Sequence, residues 1–266
     1  MTPSEIRELL ARHGIRPSRA LGQNFLADPN TARRIVRLAE LQPDERVVEV
    51  GPGVGSLTVA LADAGVHVCA IELDRHLVPI LEEVVAGRDV EVVQDDAMRV
   101  DWNTRLGDRP WVMVANLPYN VAATVVVRAL ETAPMIKRLF VMVQREVGER
   151  LAAGVGDDAY GAVSVKVAYY ATAKVVGTVS PNVFVPKPKV ESALVRLVRH
   201  ERPPVSVHDV DRMFELVRAG FATRRKTLRN TLEGRIDAER FARAQVDPQA
   251  RAETLALADW ARLADA

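Results

Sequence analysis

Short apolar runs alternate with segments of helical spacing along most of this chain. Runs of four to six residues predict seven strands, at residues 47–50, 66–71, 90–93, 112–115, 139–143, 175–179 and 193–198. Between the early runs, periodic apolar positions predict helices at 57–64, 77–85 and 121–130. Strands that alternate with helices form parallel β–α–β units. We therefore predict an α/β fold with a doubly wound, mostly parallel, seven-stranded sheet.

The chain has helical segments on both sides of this alternation. Asp28 followed by Pro29 predicts a cap and a first helical position, leading into a helix over 31–39 that ends near Leu41. Residues 162–170 favour a helix, although their valine content leaves a strand as the competing interpretation.

A domain boundary is predicted near residue 200. Residues 199–204 are charged and contain paired prolines, which is typical of a linker. Beyond them, helical patterns cover 210–219, 227–232, 238–244 and 255–263. We expect a larger domain over residues 1–200 and a small all-helical domain over residues 201–266.

Composition excludes several classes of protein. With 266 residues and 48% hydrophobic content, the chain can bury a large core. The net charge of +1 means that affinity for nucleic acid requires a local basic patch. Charged residues near Met1 and the lack of a long apolar run argue against a signal peptide and a membrane span. The single cysteine, Cys69, suits a reducing compartment, so we expect a cytoplasmic protein. Five scattered histidines without ligand spacing predict no metal site.

A glycine-rich turn follows the first predicted strand. Residues 49–55 (EVGPGVG) let the backbone approach a ligand closely at the start of a helix. The dinucleotide fingerprint Gly-x-Gly-x-x-Gly needs a third glycine where this chain has Ser56. The pattern therefore departs from that of nicotinamide-dependent dehydrogenases.

Polar side chains close the next three strands. Glu72 lies 21 residues after Gly51, where a carboxylate can accept hydrogen bonds from both ribose hydroxyls. Asp95 and Asp96 end the third strand, and Asn116 ends the fourth. Each acidic residue alone is explained equally well as a solvated side chain at the end of a strand or as a ligand-binding residue. Together they meet at the carboxyl edge of the sheet, where such folds bind ligands.

Residues 116–119 (NLPY) have the groups needed to methylate an exocyclic amine. The Asn116 side-chain oxygen and the backbone carbonyl of Leu117 or Pro118 can accept the two N–H hydrogens of an adenine amine. Pro118 restricts the backbone that holds these carbonyls, and Tyr119 offers a ring on which a base can stack. The competing interpretation is an ordinary turn after a buried strand.

The motifs together resemble a known family, the ribosomal RNA adenine N6,N6-dimethyltransferases, and within it the small-subunit dimethyladenosine transferases, also called kasugamycin-sensitivity methyltransferases. The resemblance covers nearly the whole chain. It is carried by residues 21–26 (LGQNFL), 49–55, 116–119 and 183–192 (VFVPKPKVES). It implies a methyltransferase sheet and S-adenosylmethionine as the cofactor.

The resemblance also implies roles for individual residues. The cofactor site would include Gln23, which positions a lid segment at residues 22–25, and the residues Asn24, Leu26, Gly51, Gly53, Glu72, Asp96, Ala97 and Asn116. The catalytic group would comprise Asn116, Leu117, Pro118, Tyr119 and Phe184, with Tyr119 and Phe184 sandwiching a flipped adenine.

RNA is the expected partner. Residues 224–229 contain four basic side chains, and Lys187 and Lys189 lie beside the expected base pocket; the set is Lys187, Lys189, Arg224, Arg225, Lys226 and Arg229. The competing interpretation of the basic run is a solvated helix face. We expect a monomeric enzyme that dimethylates N6 of adjacent adenines in small-subunit (16S) ribosomal RNA during ribosome assembly. The alternatives are an antibiotic-resistance enzyme that acts on large-subunit ribosomal RNA, a non-catalytic nucleic-acid-binding relative and, more weakly, a dehydrogenase.

Overall fold

The computed structural model describes residues 1–18 and 21–266. The chain folds into two compact units. The first comprises residues 1–148 and 174–199, and the second comprises residues 149–173 and 200–266. The sequence prediction had placed residues 149–173 with the larger domain, whereas the contacts group them with the C-terminal helices.

A seven-stranded sheet forms the centre of the first unit. Its strands are β2 (Arg46–Val50), β3 (His67–Glu72), β4 (Val90–Gln94), β5 (Trp111–Asn116), β6 (Ile136–Gln144), β7 (Ala171–Val179) and β9 (Ser192–Arg199). They are arranged in the order β4-β3-β2-β5-β6-β9-β7. The pairs from β4 to β6 are parallel, and β6 pairs with β9 antiparallel. The predicted mostly parallel sheet is confirmed.

The order of the strands determines where a ligand can bind. From β2 the chain moves outward to β3 and β4, and then returns to place β5 on the other side of β2. This reversal leaves a crevice outside the carboxyl ends of β2 and β5, which is the usual ligand site of open α/β sheets.

Two short strands lie outside the main sheet. Strand β1 (Phe25–Leu26) pairs antiparallel with β8 (Phe184–Val185), so that Phe25 faces Val185 and Leu26 faces Phe184. This pairing joins the N-terminal LGQNFL motif to the late VFVPKPKVES motif within the first unit.

Seven helices flank or follow the strands: α1 (Pro3–Arg12), α2 (Pro29–Ala39), α3 (Ser56–Ala62), α4 (Val78–Val85), α5 (Trp102–Leu106), α6 (Ala122–Thr132) and α7 (Arg145–Ala152). The predicted cap of α2 is confirmed, because Asp28 accepts hydrogen bonds from the backbone N–H groups of Asn30 and Thr31. Helices α1, α5 and α7 were not predicted. The start of α1 carries a capping box between Thr2 and Glu5 with Pro3 at its first turn.

The core of the first unit lies between the sheet and its helices. Val47, Val68 and Val114 are completely buried, as expected for parallel strands covered on both faces. Leu61 of α3 and Leu81 of α4 pack in the same apolar cluster. The apolar runs therefore predicted the central strands correctly because both of their faces are buried, whereas the edge strands β4 and β7 are partly exposed.

The second unit is helical. It contains α8 (Ala162–Tyr170), α9 (Val210–Gly220), α10 (Leu228–Thr231), α11 (Ala238–Ala244) and α12 (Leu257–Asp265). Its core surrounds the fully buried Trp260, and Tyr169 of α8 makes an edge-to-face contact with Phe214 of α9 at 5.5 Å. The Tyr160 hydroxyl donates to the Leu255 carbonyl at 2.8 Å. These contacts tie residues 149–173 to the C-terminal helices, and residues 162–170 form the predicted helix rather than the competing strand.

Across the two described ranges, no helix combines the length and the apolar character that crossing a bilayer demands.

Candidate active site

A cavity of about 260 Å³ opens at the carboxyl edge of the sheet in the first unit. Its walls come from the ends of β2, β3, β4 and β5, together with the segment that contains β1. The cavity therefore lies at the point where the strand order reverses. Twelve of the predicted site residues line it: Gln23, Asn24, Leu26, Gly51, Gly53, Glu72, Asp96, Ala97, Asn116, Leu117, Pro118 and Tyr119.

The glycine turn after β2 is packed against the lid segment. Gly53 has a φ of +60°, and a Cβ built there would lie 2.8 Å from Cδ1 of Phe25. Gly51 has a φ of +68°, and its Cβ would lie 3.2 Å from Cδ of Pro118. Glycine is needed at both positions because L-residues are strained at these angles and a side chain has no free space.

Glu72 is held rigidly at the end of β3. Its Oε2 accepts a hydrogen bond from the Gly53 backbone N–H at 2.9 Å, and its Oε1 accepts from the Asp74 backbone N–H at 2.8 Å. Burial raises the pKa of this carboxyl, while the hydrogen bonds from Asp74 and Gly53 oppose the shift. Each carboxylate oxygen can accept a further bond, so Glu72 can still bind a pair of ribose hydroxyls.

The acids that follow β4 face the same cavity. Asp95 Oδ1 accepts from the backbone N–H of Asp96 at 2.7 Å, and Asp96 Oδ1 accepts from that of Met98 at 2.8 Å. Asp96 Oδ2 lies 3.6 Å from Nε of Arg99. These contacts fix both side chains at the edge of the cavity, beside the buried Ala97.

Glu49 is a buried carboxyl that the sequence analysis did not single out. It lines the cavity with 1% exposure. Burial raises its pKa to about 8; the Thr58 hydroxyl opposes the shift and the nearby Glu72 adds to it. Its glutamate identity was visible in the motif at residues 49–55, but only the structure shows that the side chain points inward.

The lid segment is tied to the sheet by Gln23. Its Oε1 accepts from the Ser18 backbone N–H at 2.7 Å, and its Nε2 donates to Asp74 Oδ2 at 2.9 Å. Asp74 in turn donates its backbone N–H to Glu72. The geometry therefore suits the predicted lid-positioning role of Gln23.

The tetrad at residues 116–119 presents an unused acceptor. Asn116 Nδ2 donates to the Asn24 carbonyl at 3.2 Å, which orients the amide. Its Oδ1 is buried and has no hydrogen-bond partner among residues 1–18 and 21–266. The Pro118 carbonyl already accepts one of the two hydrogen bonds that its oxygen can take, from the Val121 N–H at 3.1 Å. We therefore take the Leu117 carbonyl as the second acceptor for the amine.

Of the two aromatic residues predicted to hold the adenine, Tyr119 lines the cavity and Phe184 does not. Tyr119 lines the cavity, and its hydroxyl lies 2.7 Å from Ser192 Oγ. Phe184 is 3% exposed, does not line the cavity and packs in the core cluster opposite Leu26. The structure therefore does not bring Phe184 together with Tyr119, because the pairing of β1 with β8 places its ring in the core.

The predicted RNA-binding residues are exposed. Lys187 and Lys189 lie in the loop between β8 and β9 of the first unit. Residues 221–226 form turns between α9 and α10 of the second unit, so the basic run there is not a helix face. Arg224 is partly engaged, since its Nε lies 3.3 Å from Glu253 Oε2 and it also donates to the Asp158 carbonyl.

Comparison with known proteins places the chain in a family. A family model described as ribosomal RNA adenine dimethylase matches residues 15–266. The chain belongs to the ribosomal RNA adenine dimethylase family. The ribosomal RNA small subunit methyltransferase A of Thermobifida fusca (strain YX) is 47% identical over 277 residues, which cover 100% of this chain and 95% of that protein.

Two solved structures show the same fold. The 23S rRNA methyltransferase ErmE aligns with a TM-score of 0.70 at 29% identity, covering 91% of this chain and 98% of its own. A dimethyladenosine transferase from Plasmodium falciparum aligns with a TM-score of 0.74 at 23% identity, covering 90% and 95%. Members of the family are S-adenosylmethionine-dependent methyltransferases.

The cavity fits that cofactor. Two glycines permit close approach of a ligand to the backbone, and Glu72 offers carboxylate oxygens to a ribose. Asp95 and Asp96 offer acceptors to an adenine amine, and the orphaned Asn116 oxygen lies on the same wall. This set of acceptors suits the ribose and the adenine of a nucleoside, and the turn lacks the third glycine that a pyrophosphate requires.

Proposed function

We propose that this protein dimethylates the N6 amine of adjacent adenines in small-subunit (16S) ribosomal RNA, with S-adenosylmethionine as the methyl donor. The observation that carries the proposal is the buried Oδ1 of Asn116 on the wall of the cavity, which has no hydrogen-bond partner in the described part of the chain. A buried acceptor without a partner is costly, and an incoming amine N–H satisfies it. Family membership supplies the class of RNA and the base.

The residues of the tetrad would prepare the amine for attack. The Asn116 Oδ1 and the Leu117 carbonyl each accept one N–H of the adenine amine. These bonds draw the nitrogen toward a pyramidal state and free its lone pair from the ring. The cofactor, when bound, supplies a sulfonium methyl carbon that is already electrophilic, so catalysis consists mainly of alignment.

Proton removal does not require a strong base. Once the nitrogen is tetrahedral and cationic, it is acidic enough to lose its proton to water. This agrees with the absence of His and Lys from residues 116–119. The monomethylated amine has only one N–H left, so only one of the two acceptors can be used in the second transfer.

The test replaces the acceptor. Asn116→Ala should lower methyl transfer to immature small subunits by about a hundredfold or more, since groups that act in the transition state contribute on this scale. Its calorimetric affinity for S-adenosylmethionine should change far less. Asn103→Ala, at an exposed position on α5, is the control. Near-normal formation of dimethyladenosine by Asn116→Ala, measured by mass spectrometry, would remove the catalytic assignment.

Small-subunit RNA is favoured over large-subunit RNA by the degree of similarity. The small-subunit methyltransferase of T. fusca shares 47% of its residues with this chain, whereas the 23S rRNA methyltransferase shares 29%. Mapping methylated adenines on ribosomal RNA from cells that lack the protein separates the two. Loss of dimethyladenosine from 23S rather than 16S RNA would refute our choice.

The proposal extends to the particle on which the protein acts, its oligomeric state and its compartment. We propose that the protein acts in the cytoplasm as a monomer on a pre-ribosomal small subunit. We further propose that Lys187 and Lys189, together with Arg224, Arg225, Lys226 and Arg229, contact RNA phosphates. Their exposure supports this role. Residues 201–266 would then form most of a helical RNA-binding domain, and sedimentation of the protein with immature and mature subunits tests the choice of particle.

A further inference from the structure

Ser192 is a buried polar residue at the start of an apolar strand. It has 0% exposure, and Ala193, Leu194 and Val195 after it are equally buried. A hydroxyl in such surroundings is unfavourable unless it forms a hydrogen bond, and an alanine would fill much the same space without that cost. The presence of serine therefore calls for a specific partner.

That partner is the side chain of Tyr119. The Tyr119 hydroxyl lies 2.7 Å from Ser192 Oγ, across 73 residues of sequence. Burial raises the pKa of the Tyr119 phenol, and the Ser192 hydrogen bond only partly opposes this, so the phenol stays protonated at neutral pH. The ring is thus held at its hydroxyl end, while its backbone end belongs to the tetrad.

Strand β6 sets the distance between these two attachment points. Leu117 of the tetrad donates its backbone N–H to the Met142 carbonyl. Two residues further along β6, Gln144 is the antiparallel partner of Ser192. The backbone end of Tyr119 and its hydroxyl partner are therefore both tied to the end of one rigid strand.

We propose that Ser192 is a positioning residue that fixes the Tyr119 ring as a stacking surface for the target adenine. The proposal rests on the proposed function, because it takes the base to lie on Tyr119. It gives Ser192 no contact with the reacting atoms. A ring anchored only at its Cβ can swing about χ1, whereas a ring that is also held at its hydroxyl stays in one place beside the cavity, so little further entropy is lost when the base arrives.

Stacking should matter most in the second methyl transfer. The monomethylated amine offers one N–H instead of two, so the base is held by fewer hydrogen bonds. Its position then depends more on the aromatic surface. Loss of the Ser192 anchor should therefore raise the proportion of monomethyladenosine among the products.

A double-mutant cycle tests the proposal with Ser192→Ala, Tyr119→Phe and the double variant. Each single change should lower kcat/KM for immature small subunits by about fivefold, the size expected for one neutral hydrogen bond. The double variant should lose no more than either single variant, because both changes remove the same bond. Calorimetric affinity for S-adenosylmethionine should be unchanged, and the monomethyl fraction should rise in all three.

Tyr160→Phe is the matched control. It removes another buried phenol hydroxyl, which donates to the Leu255 carbonyl in the second unit. It should lower the melting temperature without changing the monomethyl fraction. If the losses of Ser192→Ala and Tyr119→Phe multiply, or if the monomethyl fraction does not change, Ser192 does not act through Tyr119 and the proposal is overturned. If the wild-type protein makes no methyladenosine at all, the proposed function has failed as well.

Discussion

Gly53 permits the most direct test of how the lid segment and the cofactor turn depend on each other. Its φ is +60°, and a Cβ there would lie 2.8 Å from Cδ1 and 2.9 Å from Cε1 of Phe25. The Phe25 ring is 5% exposed and packs with Ile6, Leu9 and Ile80. It cannot move aside without disturbing that cluster. Gly53→Ala should therefore displace β1 from the turn.

The cost of this substitution has two parts. A left-handed backbone conformation in an alanine costs about 1–2 kcal/mol. Overpacking against a well-packed ring adds about 1–3 kcal/mol. The sum is roughly 2–5 kcal/mol, which for a chain of this size corresponds to a fall of about 5–15 °C in melting temperature. Gly65→Ala supplies the matched control, because Gly65 has a φ of +82° and no atom within 4 Å of its Cβ position.

Thermal denaturation and calorimetric titration with S-adenosylmethionine measure the two effects separately. Gly65→Ala should show only the backbone cost and should bind the cofactor normally. Gly53→Ala should be less stable than Gly65→Ala and should bind the cofactor at least about tenfold more weakly, because the Gly53 N–H also holds Glu72 Oε2 at 2.9 Å. Equal destabilisation of the two variants, with unchanged affinity, would show that the contact with Phe25 carries no energy and would refute the reasoning.

Three further predictions concern charge. Glu49→Gln should remove a pH dependence of stability, because the folded protein keeps the Glu49 proton up to a pKa of about 8 whereas the unfolded chain releases it near 4.5. Between these pH values the free energy of unfolding of the wild type, measured by urea denaturation, should fall relative to that of the variant by about 1.4 kcal/mol per pH unit; parallel pH profiles would contradict this. Glu72→Ala leaves two backbone N–H groups without their acceptor and should weaken cofactor binding in calorimetry by tenfold or more; unchanged affinity would exclude a ribose contact. Neutralising Arg225 and Lys226 together should reduce the steepness of the plot of log affinity for small-subunit RNA against log salt concentration by about 0.7–0.9 per charge. The control Arg109→Gln, just before the first residue of β5 and away from the cavity, should leave this slope unchanged; the same slope in the double variant and the wild type would exclude the patch.

The sequence was sufficient to predict the central strands of the sheet because they are buried on both faces, and apolar runs mark such strands without any knowledge of their neighbours. The two edge strands, β4 and β7, were also predicted from shorter apolar stretches, although both are partly exposed. Helix α1 was missed although its capping box at Thr2 and Glu5 is a local signal. Helix α5 is only five residues long and carries almost no periodic pattern.

Site residues at the ends of strands could be predicted from the sequence. Contacts between side chains that are far apart in the sequence could not. Glu72 and Asn116 follow from their places in the chain, because parallel strands bring their carboxyl ends to one edge. The contact between Tyr119 and Ser192 spans 73 residues and has no local signature. The predicted base-stacking role of Phe184 stays a prediction, since its ring packs opposite Leu26 in the core.

Unpaired polar atoms in the wall of the cavity support its assignment as the ligand site. Among the residues that the structure describes, seven buried side-chain atoms have no hydrogen-bond partner, and three of them, Glu49 Oε2, Ser56 Oγ and Asn116 Oδ1, belong to residues that line this cavity. Each such group destabilises the protein by about 1–3 kcal/mol until a partner arrives. A ligand that offers hydrogen-bond donors to this wall removes part of that cost and therefore binds the folded state selectively. S-adenosylmethionine at a hundred times its dissociation constant should accordingly raise the stability of the first unit by about 2.7 kcal/mol. A melting temperature that does not respond to saturating S-adenosylmethionine would show that the folded protein does not bind this cofactor, and the assignment of the cavity would then fail.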